Sequence, residues 1–158
     1  SMGVLIFVSC FIAISFLQSQ SRNWVMMLLL IIWLADTAAY FAGRRFGKHF
    51  LAPKISPKKT WEGVYGALIA VSLGVLLVGW EEGIELSLVG YFFLLGWITV
   101  MVSIVGDLFE SALKRKAKVK DSGQLLPGHG GLLDRIDSLL AAAPVFALGV
   151  WVLKGLVG

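Results

Sequence analysis

Apolar residues run through this chain in five blocks separated by short polar stretches. The first, residues 4–17, is short for a membrane span. Residues 24–43, 63–80, 86–105 and 136–157 each approach the roughly 20 residues that cross a bilayer as a helix. Polar turns at 18–23 and 81–83 separate neighbouring blocks. Pro144 falls inside the last block, where a proline is tolerated if neighbouring helices satisfy the carbonyl it frees. No internal repeat or low-complexity tract is present. The pattern predicts an all-α fold: a polytopic transmembrane helix bundle of about five spans, forming one membrane domain over residues 4–158. Ser1-Met2-Gly3 reads as a cloning remnant outside that domain. No basic segment precedes the first apolar block, so no cleavable signal peptide is expected.

Composition sharpens this picture. Of 158 residues, 58% are hydrophobic and 15% charged, against about 25% charged in an ordinary soluble domain. Mean hydropathy is +0.83. The single cysteine, Cys10, has no internal disulfide partner, and one thiol is too few for a zinc site. The net charge of +4 would suggest nucleic acid in a soluble protein. In a membrane protein it is first a topology signal. Arg44, Arg45, Lys48, Lys54, Lys58 and Lys59 follow the second apolar block. Lys114, Arg115, Lys116, Lys118, Lys120 and Arg135 follow the fourth. Alternating spans put both basic loops on one side, and the positive-inside rule makes that side cytoplasmic. Glu81, Glu82 and Glu85 then fall outside.

The second basic loop also carries acids. The fourth span is expected to continue as a helix beyond the membrane to about Arg115. On it Asp107, Glu110, Ser111 and Lys114 share one face by their i, i+3, i+4 and i+7 spacing. Asp134 and Asp137 share a face at the start of the fifth span. Ionisable groups at a membrane boundary are costly and usually functional. Asp107, Asp134 and Asp137 supply oxygen ligands suited to a hard cation such as magnesium, which completes its shell with water and substrate phosphates. Helix-dipole or simple ion-pair roles are the structural alternative for each acid taken alone. Gly128-His-Gly-Gly131 permits close backbone approach and an anion-binding nest, with His129 as a donor. No Walker-type Gly-Lys-Ser/Thr ending is present.

In the first loop, basic residues alternate with Phe46, Phe50, Leu51 and Trp61. That pattern suits a segment lying in the interface, cations toward phosphates. Asp36 lies about two turns inside the second span, roughly 10 Å from its loop end, and as a buried acid it needs a partner.

These runs resemble a known signature. Ser111-x-x-Lys114-Arg115, Lys120-Asp121, Pro127-Gly-His-Gly-Gly131 and Asp134-Arg135-x-Asp137 are similar to phosphatidate cytidylyltransferases, also called CDP-diacylglycerol synthases. So are Asp36, Tyr40-Phe-x-Gly43-Arg44, Phe46-Gly-Lys48 and Ser56-Pro-x-Lys-Thr-Trp-Glu-Gly63. The resemblance covers roughly residues 24 to 140. It implies transfer of CMP from CTP to phosphatidate, with release of pyrophosphate. It further implies Asp107, Asp134 and Asp137 as ligands of Mg2+, with room for a second cation. Lys114, Arg115, Lys120 and His129 would hold nucleotide phosphates. Ser56, Lys58, Lys59 and Thr60 would face the lipid phosphate or triphosphate. Asp36, Ser111, Asp121, Gly130, Gly131 and Arg135 complete the expected substrate site. The implied partners are CTP, phosphatidate and the lipid bilayer, with a homodimer as a candidate assembly and nucleic acid excluded. The location would be a cell (inner) membrane in a bacterium. Members usually carry more spans ahead of this region, so the chain reads as a C-terminal catalytic part, whose activity in isolation is not implied. The alternatives are a CTP-dependent polyprenol or lipid kinase, an ion-transport fragment with Asp36 and Asp107 as pathway acids, and a non-catalytic assembly fragment.

Overall fold

The computed structural model describes residues 2–81, 85–116 and 133–157. Five helices account for almost all of them: α1 (Met2–Gln20), α2 (Arg22–Phe46), α3 (Trp61–Glu81), α4 (Leu86–Lys116) and α5 (Leu133–Val157). The last four are long and apolar enough to cross a membrane, whereas the apolar run of α1, Val4–Gln20, is shorter. This is the all-α polytopic bundle that the hydropathy pattern predicts. One element departs from it. Between α2 and α3 the chain forms a small antiparallel hairpin of β1 (Phe50–Ala52) and β2 (Ser56–Thr60), with Phe50 opposite Thr60, Ala52 opposite Ser56 and an irregularity between the two pairs.

Local chemistry sets the helix ends. Ser21 is the only residue between α1 and α2. Its extended backbone and its hydroxyl, which accepts from the Asn23 N–H at 3.3 Å, make it an N-cap. α2 runs past the expected end at Gly43 to Phe46, and the Gly47 N–H closes its last turn on Gly43 O at 2.9 Å. α4 runs to Lys116, as its face spacing predicts. Its 31 residues span roughly 46 Å, well beyond the roughly 30 Å hydrocarbon layer. Pro144 lies within α5 without ending it.

α2 packs chiefly on α3, while α5 packs on both α4 and α1. The buried centre holds Leu17, Leu28, Val71, Val100, Phe146 and Val150. Two crossings depend on a missing side chain. A Cβ at Gly63 would stand 2.9 Å from Ala39 O, and one at Gly106 would collide with Ala141. Glycine at these positions lets α3 lie against α2, and α5 against α4. Much of the remaining apolar surface, including Trp33, Phe41, Ile69 and Leu148, is exposed, as expected of faces that meet lipid.

Candidate functional site

The hairpin is held by the start of α3. Thr60 is buried, and its hydroxyl accepts the Gly63 N–H at 3.2 Å, capping the helix. Glu62, in the first turn, takes His49 by two contacts: Nδ1 to Oε1 at 2.7 Å, and the His49 backbone N–H to Oε2 at 3.3 Å. The Trp61 N–H donates to His49 O at 3.0 Å. The loop before β1 and the turn after β2 are thus fastened at one point, and the hairpin is fixed relative to α3.

That fixing directs Lys59. Its ammonium forms an ion pair with the Asp107 carboxylate on α4. Both side chains are half-buried: Lys59 is 25% and Asp107 30% exposed. Asp36 on α2 lies within electrostatic reach of both Lys59 and Asp107. Asp137 on α5 lies within hydrogen-bonding reach of Asp107 and within electrostatic reach of Glu110. It also accepts the Ser138 N–H at 2.6 Å. Along α4, Ser111 Oγ donates to Asp107 Oδ1 at 3.4 Å, and Lys114 pairs with Glu110 at 3.2 Å. Arg115 Nε reaches back to Ile55 O in the hairpin at 3.5 Å. Residues from α2, the hairpin, α4 and α5 therefore meet at one end of the bundle.

Most of the sequence-predicted residues with described side chains fall in or beside this cluster. Ser56 is half-buried and Lys58 exposed on β2. One placement differs from the sequence reading: Asp36, exposed and within electrostatic reach of Lys59, lies ten residues, roughly 15 Å, from the true end of α2. Thr60, expected beside phosphates, also caps α3, its hydroxyl accepting an amide while its O–H keeps its capacity to donate. Lys120, Asp121, His129, Gly130 and Gly131 lie outside the described residues. Asp134 and Arg135 belong to the first turn of α5, and their side chains also lie outside. The sequence reading passed over His49 and quoted Glu62 only within the signature run, with no role of its own. Their signal is faint: a carboxylate at the second position of a helix, which the macrodipole favours, following a threonine cap.

The arrangement already accepts one cation among several acids, since the Lys59 ammonium is seated there. Asp107 and Asp137 are the adjacent pair of oxygen donors. Among the described residues no group of three acids, histidines or cysteines is placed to hold a metal ion. A third ligand would have to come from beyond them, and Asp134, one turn before Asp137, is the nearest acid in sequence. The donor chemistry of these two carboxylates suits a hard cation.

The profile of the Cytidylyltransferase family matches residues 1–153. A phosphatidate cytidylyltransferase of Haemophilus influenzae is 50% identical over 129 residues, covering 78% of this chain and 44% of the relative. That of Pseudomonas aeruginosa is 47% identical over 152 residues, covering 95% and 56% respectively. That of Rickettsia typhi is 42% identical over 134 residues, covering 82% and 59%. The chain spans about half the length of the curated relatives it matches.

Proposed function

The chain belongs to the cytidylyltransferase family, and from that premise we propose that it is the catalytic portion of an enzyme that transfers CMP from CTP to phosphatidate, giving CDP-diacylglycerol and pyrophosphate. The observation that carries this reading is the meeting of Lys59 with Asp107, beside Asp36 and Asp137. In the reaction, an oxygen of the phosphatidate phosphate bonds to the α-phosphorus of CTP. The bond from that phosphorus to the oxygen bridging to the β-phosphorus breaks, and its electron pair leaves with pyrophosphate. The nucleophile is already an anion and needs little help from a base. The difficulty is bringing two anions together and stabilising the one that departs.

The chain's cations answer that difficulty. Lys59 is held in place by the hairpin, while Lys114, Arg115 and Lys116 occupy the last turn of α4, where the helix dipole favours cations and their side chains supply charged donors for phosphate oxygens. Arg115 adds a planar fork suited to phosphate oxygens. Asp107 and Asp137, together with Asp134, would hold magnesium. When bound, the metal would neutralise phosphate charge and orient the leaving group. The acids without a cation would repel one another and the substrates alike.

The same reading puts the site on the cytoplasmic face, because the lysines of β2 and the basic last turn of α4 carry the positive charge expected there. A soluble nucleotide can then meet a lipid that never leaves the bilayer. The test is incorporation of label into phosphatidate by the chain carrying the preceding spans of a full-length family member. Label from α-labelled CTP is expected in the lipid. Label from γ-labelled CTP alone would make the protein a lipid kinase and overturn the reading.

A further inference from the structure

One carboxylate fastens the base of the hairpin. Glu62 Oε1 meets His49 Nδ1 at 2.7 Å, and Oε2 accepts the His49 backbone N–H at 3.3 Å. His49 directly precedes β1, and Trp61, whose N–H donates to His49 O, directly follows β2. The two residues that flank the hairpin are thus joined main chain to main chain, with Glu62 across the joint. The His49 side chain is 76% exposed, so burial does not hold it there; the bonds to Glu62 do.

The hairpin needs this fastening. Its strands have three and five residues, and a two-stranded hairpin is marginal by itself in water. β2 contains Pro57, Lys58 and Lys59, a composition that disfavours strand. The pairing is also irregular between Phe50 and Ala52. Little within the ladder itself keeps β2 extended.

The extended form of β2 decides which lysine enters the acidic cluster. Successive side chains on a strand point to opposite faces. Lys59 pairs with Asp107, whereas Lys58 is exposed. Thr60, on the face opposite Lys59, is buried beside Gly43 and Gly63. Thr60 anchors the end of the strand, but one fixed residue does not set the torsions of the two before it. Resting on Lys59 as a phosphate-binding group of the transfer reaction, we propose that Glu62 is a positioning residue. By clasping His49 it keeps β2 extended, so that Lys59 and not Lys58 is presented to Asp107 and the reacting phosphates.

A carboxylate in the first turn of a helix also favours the macrodipole. That role alone requires the charge and no histidine. The clasp requires hydrogen bonds and no charge. Glutamine supplies them, its amide oxygen accepting the His49 N–H and its NH2 donating to Nδ1 of the neutral ring. Alanine supplies neither, so the two variants separate the roles.

The experiment uses the full-length enzyme, with folding followed by detergent-phase monodispersity. Labelling with limiting acetic anhydride, resolved between Lys58 and Lys59 by tandem mass spectrometry, reads the presentation of the two amines without reference to catalysis. In wild type and Glu62→Gln, Lys58 is expected to label well ahead of Lys59. In Glu62→Ala that difference should be lost. The kcat for CMP transfer should fall about 10- to 100-fold in Glu62→Ala, the cost of a reacting group misplaced by about 1 Å or less. The KM for CTP should change little, and Glu62→Gln should stay close to wild type in both. In a Lys59→Met background, Glu62→Ala should add little further loss, since the two act through one group. An unaltered labelling ratio in folded Glu62→Ala would overturn the proposal. So would Glu62→Gln behaving as Glu62→Ala, or losses that multiply in the double variant. If Glu62→Ala does not fold, His49→Ala removes the ring contact and keeps the backbone bond; it should shift the labelling ratio the same way, and an unchanged ratio there overturns the proposal equally. If wild type transfers no CMP to phosphatidate, the functional reading falls, while the labelling ratio still decides whether Glu62 sets the placement of Lys59.

Discussion

Replacing Lys59 with methionine keeps most of the side chain's bulk and removes its charge. An exposed ion pair contributes about 0–1 kcal/mol, and breaking a buried one costs about 3–5 kcal/mol. With Lys59 and Asp107 at 25% and 30% exposure, the expected cost lies between, at about 1–3 kcal/mol. Part of it is repulsion, because Asp107 is left facing Asp36 and Asp137 with no ammonium between them. That origin makes a specific claim about the double variant. In the Lys59→Met background, Asp107→Asn removes an unpaired charge and should cost less than about 0.5 kcal/mol or restore stability. The coupling measured by the cycle should then exceed about 1 kcal/mol. Unfolding in a fixed detergent gives the four stabilities, and initial rates of CMP transfer give the functional arm in the full-length enzyme. Loss of one preorganised donor to a reacting phosphate costs about 100- to 1,000-fold, and Lys59→Met should fall in that range. Additivity within about 0.3–0.5 kcal/mol, together with activity within threefold of wild type, would refute both the pairing and its role.

Asp137→Asn in the full-length enzyme should shift the magnesium dependence of CMP transfer to higher concentration and lower the maximal rate by orders of magnitude; an unchanged magnesium titration would remove Asp137 from the metal centre. Thr60→Val keeps the branched shape but leaves the Gly63 N–H without its acceptor, and should cost about 1 kcal/mol in detergent unfolding; a variant as stable as wild type would contradict the cap. Single cysteines at positions 58 and 85 in a Cys10→Ser background should label oppositely from outside intact cells, position 85 readily and position 58 only after permeabilisation, and the reverse result would invert the topology.

Features carried by one helix were legible in the sequence. The run of Asp107, Glu110, Ser111 and Lys114 along a single face follows from helical spacing alone, and the contacts of Ser111 with Asp107 and Lys114 with Glu110 follow from that face. The length of α4 is likewise a local property of its composition. What joins different elements left no such trace. Lys59 and Asp107 are far apart in sequence, and no periodicity links them. The hairpin was hidden because its strands are short and β2 is rich in lysine with a proline, a composition that disfavours strand. It forms because its ends are tied by His49, Trp61 and Glu62. The capping role of Thr60 was hidden for a related reason: only the three-dimensional start of α3 shows that its hydroxyl accepts an amide.

The hairpin's attachment to α3 has a mechanical consequence. Lys59 cannot adjust freely on a slack loop; it moves with the pair of helices that carry it, while Asp107 and Asp137 move with α4 and α5. Spans of unequal apolar length answer a change in bilayer thickness with unequal tilts. The gap between the ammonium and the carboxylates bridges the two helix pairs, so a difference in their tilts would fall on it. A sheet that thickens or thins would strain or relax that joint before any soluble ligand arrived.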